Sequence, residues 1–346
     1  MAKKLPSIAI VTCHFNPCGY TRPVENLAKV KAHMEALGVP LVVAECFFVP
    51  YEGFKASPAV DNKFLSASVL WQKEALLNAA ITSLPANITK VIAMDADVLI
   101  PSAEWVQQVE DALEDHNVVQ PWSRCSFLDE SDEEVSVMAS MAYAASIGDP
   151  RRNDFSVYHP GFVWAFRRTF FTAGPGLFEL CPVGIGDVLL ANAMVSNVPN
   201  RIDAANPMLA RDMRSWELWL KEWNQGKSLG CVEADIKTLW HGSNENRKYS
   251  SRVEILVDYD PCTDVYIAEN NLVEWMDSAR EEKGNMIRAV AEYFSARLED
   301  GDTWEKQPEV IHRVNPPDQP NLYYSEPEPE PEPEQEAESP EIPYEL

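Results

Sequence analysis

The run Val91-Ile92-Ala93-Met94-Asp95-Ala96-Asp97-Val98 constrains the fold more than any other part of the chain. A short apolar run bounded by polar residues reads as a buried strand. Ionised carboxylates cannot sit unpaired in the middle of such a strand. Asp95 and Asp97 therefore belong at its carboxyl end, in the crevice where open α/β sheets bind ligands. Two hard oxygen ligands there, beside a phosphate-bearing substrate, suit Mg²⁺ or Mn²⁺. The plainer alternative is a pair of aspartates that ends the strand and caps the next segment.

The chain has 346 residues and is 46% hydrophobic, enough for one large domain or two modest ones. Its net charge is −25, but Glu326–Leu346 carries nine glutamates and no basic residue, and without them the charge is −16. An acidic body argues against a broad nucleic-acid surface, which needs clustered Lys and Arg. The seven cysteines form no Cys-x-x-Cys, so neither a disulfide framework nor a zinc site is expected. No signal peptide or membrane span stands out, and the expected location is the cytoplasm, including a host cytoplasm if the chain is phage-encoded.

Hydrophobic spacing predicts strands at Ile8–Thr12, Leu41–Val49, Val91–Met94 and Asn117–Gln120. Helices are predicted between them at Pro23–Leu37, Leu70–Leu84 and Ala103–Leu113. This alternation implies an α/β fold with a doubly wound, mostly parallel sheet. The loop after the first strand begins at Cys13 and lacks Gly-x-Gly-x-x-Gly, so a dinucleotide fingerprint is absent. The middle is less regular, with a strand at Val163–Phe166, a helix at Arg214–Trp223 and a solvated acidic run at Asp129–Glu134. A last helix spans Asn285–Leu298. From Asn315 the Pro- and Glu-rich sequence has nothing to bury and is expected to be a disordered tail.

Three further clusters carry possible chemistry. In Trp240-His241-Gly242 through Arg252, neutral His241 can complete a divalent ion's shell, and Arg247, Lys248 and Arg252 can grip a diphosphate. A lone histidine is as readily a hydrogen-bonded structural residue. In His159 to Arg168, the aromatics around Gly161, Trp164 among them, suggest a wall that stacks on a ring. Gly184 and Gly186 let backbone approach a ligand and leave Asp187 at a turn, either to take a proton from a substrate hydroxyl or to cap the helix Val188–Val195. Lys73, in Trp71-Gln72-Lys73-Glu74, either reaches a ligand or is an ordinary surface lysine.

The order of these blocks resembles a GT-A-fold nucleotide-sugar glycosyltransferase of the Asp-x-Asp type. Phe15-Asn16-Pro17, Trp71-Gln72-Lys73-Glu74, Gln120-Pro121-Trp122 and Trp240-His241-Gly242 look like a little-characterised phage and bacterial branch, over about residues 6 to 275. The resemblance implies a GT-A-like (Rossmann-like) domain over 1–314. Within it, 1–122 would bind nucleotide, 123–275 would serve the acceptor and complete the metal site, and 276–314 would be a helical segment. The tail would be 315–346.

The same resemblance implies roles. Asp97 would bind the metal that bridges the donor diphosphate, and Asp95 would support it or approach the ribose. His241 would complete the shell of Mn²⁺ or Mg²⁺. Arg247, Lys248 and Arg252 would hold the leaving diphosphate. Asp187 would be the base of an inverting reaction, although Gly-Ile-Gly-Asp stands where the family more often has Glu-Asp. Thr12, Phe15, Asn16 and Arg22 would contact the nucleotide. The donor would be a nucleotide sugar, a UDP-sugar first among them, and the acceptor a saccharide, a modified nucleobase or a protein. Two other readings stay open: a metal-dependent nucleotidyltransferase, and a non-catalytic nucleotide- or sugar-binding module.

Overall fold

A computed structural model describes residues 7–49, 62–195, 206–249 and 251–301. In chain order the strands are β1 Ile8–Phe15, β2 Leu41–Phe48, β3 Lys63–Ser66, β4 Lys90–Met94, β5 Val98–Leu99, β6 Val118–Gln120 and β7 Arg124–Leu128. They continue as β8 Glu134–Ser140, β9 Tyr158–His159, β10 Val163–Arg167, β11 Gly230–Cys231, β12 Asp235–Thr238, β13 Val265–Ile267 and β14 Val273–Trp275. The helices are α1 Thr21–Ala36, α2 Lys73–Ser83, α3 Ala103–Asp115, α4 Met141–Ser146 and α5 Thr169–Thr172. They continue as α6 Gly186–Val195, α7 Pro207–Asn224, α8 Pro261–Asp264, α9 Asp277–Glu282 and α10 Gly284–Ala296.

The expected mostly parallel sheet flanked by helices is present. Seven strands run in the order β11-β6-β10-β4-β1-β2-β3, and β10 alone is antiparallel to its neighbours. β4 lies near the centre and is buried along its whole length. Its period-two side chains divide between two helical layers. Val91 and Ala93 pack in the core with Leu76 of α2 and Leu189 of α6, whereas Ile92 and Met94 pack with Met34 of α1 and Trp105 of α3. Burial on both faces is why Val91–Met94 is continuously apolar, and charge falls only at the two ends of the run, on Lys90, which is paired with Glu110 and Glu114, and on Asp95 after Met94.

Three expectations need correction. The first strand does not end at Thr12 but pairs with β2 as far as Phe15, so Cys13 and His14 are strand residues. The helix placed at Arg214–Trp223 begins at Pro207. Asn206 caps it by accepting from the Leu209 amide at 2.8 Å, and proline in the first turn needs no amide partner. The irregular middle contains a second, five-stranded sheet, β5-β12-β7-β8-β9. The acidic run makes the β7–β8 hairpin turn, where Asp129 Oδ1 accepts from the amides of Ser131 and Glu133 at 2.8 and 3.0 Å.

All seven cysteines are free. Among the described residues no helix is long and apolar enough to cross a membrane. The tail from Asn315 and the stretch leading to it from residue 302 lie outside the described residues.

Candidate active site

Where β4 ends, the Asp95 amide donates to the Phe162 carbonyl at 2.9 Å, and the chain turns through Ala96 to Asp97. The Asp97 carbonyl then accepts from the Leu239 amide at 2.8 Å. That bond ties the end of β12 to the turn and delivers His241, two residues on, to the Asp97 side chain. His241 Nδ1 lies 2.8 Å from Asp97 Oδ2 and 3.0 Å from the Leu239 carbonyl. Between two acceptors Nδ1 must carry the proton, which leaves the lone pair on Nε2. Burial alone would raise the Asp97 carboxyl, but His241 and Arg247 outweigh it and hold the group below its ordinary range.

Asp95 faces the opposite way. Lys73, the first residue of α2, places Nζ 2.6 Å from Asp95 Oδ1 and 2.8 Å from Asp187 Oδ2. Its side chain is only 12% exposed, so the surface-lysine alternative is wrong. Burial would lower the ammonium, yet Asp187, Asp95 and Glu74 hold it well above its ordinary value. The surplus of acids shows in the partners. Burial pushes Asp95 up to about 7 against the pull of Lys73, and pushes Glu74 to about 7 as well.

Asp187 lies within the first turn of α6 rather than at its cap, because the helix begins at Gly186. The close approach expected of Gly184 and Gly186 is to protein. A Cβ on Gly184, whose φ is +72°, would overlap the Trp71 ring, and one on Gly186 would overlap the Glu74 carboxyl.

These groups line one cleft of about 730 Å³. Its other charged wall is a set of arginines. Arg247, in a 3₁₀ turn, donates from Nη2 to the His241 carbonyl at 2.7 Å and lies 3.4 Å from Glu299. Arg252 Nη1 lies 3.1 Å from the Tyr293 hydroxyl. Arg297, just past α10, pairs with Glu299 at 2.6 Å and sits 5.0 Å over the Trp71 ring. The Nε atoms of Arg247 and Arg252 are buried with no hydrogen-bond partner among the described residues. Burial and the neighbouring Arg297 pull Arg247 below the ordinary guanidinium range. A cation penalised in this way gains from an incoming anion.

Of the residues singled out from sequence, Phe15, Asn16, Lys73, Asp95, Asp97, Asp187, His241, Arg247 and Arg252 line this cleft. Thr12, Arg22, Trp164 and Lys248 do not. Thr12 is fully buried within β1. Trp164 is buried in β10 with Nε1 donating to the Pro160 carbonyl at 3.1 Å, so it cannot stack on a ligand in the cleft. Arg22 sits 5.0 Å over the Trp240 ring, and Lys248 is exposed to solvent in a left-handed conformation. Glu74, Arg297 and Glu299 escaped the sequence reading. The only signal was Glu74's place in the Trp71–Glu74 motif.

The metal expectation changes too. Among the described residues no three His, Cys, Asp or Glu side chains are arranged to hold an ion, because Asp95 is turned onto Lys73. Asp97 and His241 remain. Asp97 Oδ1 is buried with no hydrogen-bond partner among the described residues, and His241 offers Nε2. One carboxylate and one imidazole, completed by diphosphate oxygens and water, fit Mg²⁺ or Mn²⁺.

Fold and site together define an α/β protein with a mostly parallel sheet and a charged cleft at the carboxyl end of its central strand. No protein-family model and no curated protein matches the chain. Among solved structures it is similar to the catalytic domain of Drosophila β1,4-galactosyltransferase 7 in complex with xylobiose. That match has 10% identity and a TM-score of 0.35, over 80% of this chain and 97% of that one. It is also similar to Mycobacterium tuberculosis glucosyl-3-phosphoglycerate synthase, at 12% identity and a TM-score of 0.36, over 78% and 87% of the two chains. A third is 4-diphosphocytidyl-2C-methyl-D-erythritol synthase from Anaerococcus prevotii, at 10% identity and a TM-score of 0.30, over 66% and 88%. The choice of chemistry rests on this chain's own residues.

Proposed function

We propose that the protein is a glycosyltransferase that moves a sugar from a nucleotide-sugar donor, a UDP-sugar first among candidates, to an acceptor hydroxyl with inversion. The observation that carries this reading is the Asp95–Lys73–Asp187 bridge. One buried cation joins the carboxylate at the strand end to a second carboxylate that is 32% exposed and borders open cleft. Residues 1–122 would supply the nucleotide-binding side, and 123–275 the acceptor side and, through His241, Arg247 and Arg252, part of the metal and diphosphate site.

In this reading Phe15 and Asn16 border the nucleotide. Arg247, Arg252 and Arg297 bind the diphosphate and stabilise the charge that it gains on leaving. A divalent ion held by Asp97 and His241 would add positive charge at that diphosphate. Asp187 accepts the proton of the acceptor hydroxyl. The acceptor oxygen bonds to the anomeric carbon, the bond from that carbon to the diphosphate oxygen breaks, and its electron pair leaves on the nucleoside diphosphate. Lys73 keeps the Asp187 carboxylate turned toward the cleft.

The test is release of nucleoside diphosphate from UDP-glucose and other sugar nucleotides, with and without Mn²⁺. Metal-dependent release that falls at least ~10²-fold in Asp97→Asn is expected. Full turnover in that variant defeats the reading. Pyrophosphate as the product would establish nucleotidyl transfer instead.

A further inference from the structure

The wall opposite Lys73 holds a second ordered pair. A Cβ on Gly161 would sit 3.1 Å from Asp187 Oδ2 and 3.1 Å from His159 Cε1. The missing side chain therefore lets the Asp187 carboxylate and the His159 ring approach each other over Gly161, at the edge of the cleft that all three line. The backbone there is pinned. The buried Gln120 side chain donates to the carbonyls of His159 and Gly161 at 3.1 and 3.3 Å, while its Oε1 accepts from the Ala142 amide at 2.9 Å.

The ring is fixed as well. It stacks on Phe162 with centroids 3.9 Å apart and planes 4° from parallel. The Gly161 amide donates to His159 Nδ1 at 3.0 Å. A ring nitrogen that accepts an amide proton is the bare one, so the neutral imidazole carries its hydrogen on Nε2. Burial pushes His159 down to about 4, which keeps it neutral near pH 7. Nε2 has no hydrogen-bond partner among the described residues, and the ring borders the cleft. On the other side, Lys73 occupies Asp187 Oδ2 and no partner occupies Oδ1 among the described residues.

We propose that Asp187 and the His159 Nε2–H form a matched acceptor and donor for two neighbouring hydroxyls, so that the acceptor substrate carries a vicinal diol. The hydroxyl beside Asp187 gives up its proton and reacts. The adjacent oxygen accepts from His159, which makes His159 a specificity-determining residue. A sugar or another polyol has such a pair, whereas a lone serine, threonine or hydroxymethyl group does not. The assignment depends on the glycosyl-transfer reading only for which hydroxyl reacts; the binding pair stands on its own geometry.

Saturation-transfer NMR tests the pair without requiring turnover. The probes are methyl pyranosides of gluco, galacto, manno and xylo configuration, each beside analogues lacking one or two adjacent hydroxyls. The proteins are wild type, His159→Phe, which keeps the stack on Phe162, and His159→Gln, which restores an N–H donor. UDP binding with Mn²⁺ serves as the control for folding. At least one intact pyranoside should bind wild type about tenfold more tightly than its deoxy analogue. His159→Phe should remove that preference without weakening the deoxy analogue further, and His159→Gln should restore part of it. An unchanged preference in His159→Phe overturns the proposal, as does a wild type that binds no pyranoside of the panel. Diol preference without nucleoside diphosphate release would sink glycosyl transfer and keep the pair; release without diol preference would do the reverse.

Discussion

Asp95 and Asp97 are two residues apart and have opposite surroundings. Around Asp95 a single cation, Lys73, is shared by Asp95, Asp187 and Glu74. Around Asp97 the balance is reversed, with His241 and Arg247 beside it and Arg252, Arg297 and Glu299 on the adjoining wall. Burial raises Asp95 and Glu74, which hold protons near neutrality, whereas Asp97, beside His241 and Arg247, is lowered and stays ionised. The Asp95 side is thus suited to proton transfer, and the Asp97 side to binding an anion together with a divalent ion. Residues two apart on a strand share a face, so it is the turn after Met94, closed where the Val98 amide donates to the Asp95 carbonyl at 3.3 Å, that separates the two side chains and produces both environments in one cleft.

The largest way to break the contrast is Lys73→Met. It keeps the length of the side chain and strands three carboxyls without their cation. Removing one partner of a buried pair costs roughly 3–5 kcal/mol, and urea unfolding at pH 7.5 should show a loss of that order. The loss should shrink at pH 5, where Asp95 and Glu74 hold their protons and have less need of Lys73. A loss that does not depend on pH would mean that Lys73 acts by packing alone. On the other side, Arg252→Met should leave the fold standing and weaken UDP binding about tenfold, the value of one charge-assisted hydrogen bond. Isothermal titration with UDP and Mn²⁺ measures it, and unchanged affinity would detach Arg252 from the anion-binding wall.

The Asp97 half of this contrast was more legible in the sequence than the Asp95 half. Asp95, Asp97 and His241 were readable because a fully buried strand must release its charge at one end, and a histidine before a Gly-Ser-Asn loop marks another loop at the same edge. Arg297 and Glu299 were not. They lie two hundred residues from Asp97 and reach the site only because α10 packs its Tyr293 and Phe294 under it. Lys73 stayed ambiguous for a related reason: a lysine opening a helix looks solvated until two carboxylates from other elements close over it. Thr12 and Trp164 failed on strand geometry, since both are enclosed within the central sheet and its core. The second sheet stayed hidden because its strands are short and partly polar, as in Asp235-Ile236-Lys237-Thr238.

Glu74→Gln sharpens the Asp95 side through pH. The unfolded carboxyl titrates near 4.5 and the native one near 7, so between those values the native state holds a proton that the unfolded chain has released. Its contribution to stability is complete below about 4.5 and is lost as pH rises through 7. Glutamine is neutral throughout and escapes that loss. The melting temperature of the variant, relative to wild type, should therefore climb by a few degrees between pH 5 and 7.5. A flat difference across that window would mean that Glu74 is ionised in the native state and draws on Lys73 as well.

The smallest expected effect comes from a residue that the basic cluster of the sequence would rank beside Arg247. Lys248 is exposed and does not line the cleft, whereas Arg247 and Arg252 do. An exposed lysine contributes through a screened long-range field only. Lys248→Ala should change UDP affinity by less than about twofold at 0.15 M salt, with any remainder vanishing at higher salt. A tenfold loss in that variant would extend the cationic wall out to the solvent face and erase the distinction between charge clustered in sequence and charge gathered by the fold.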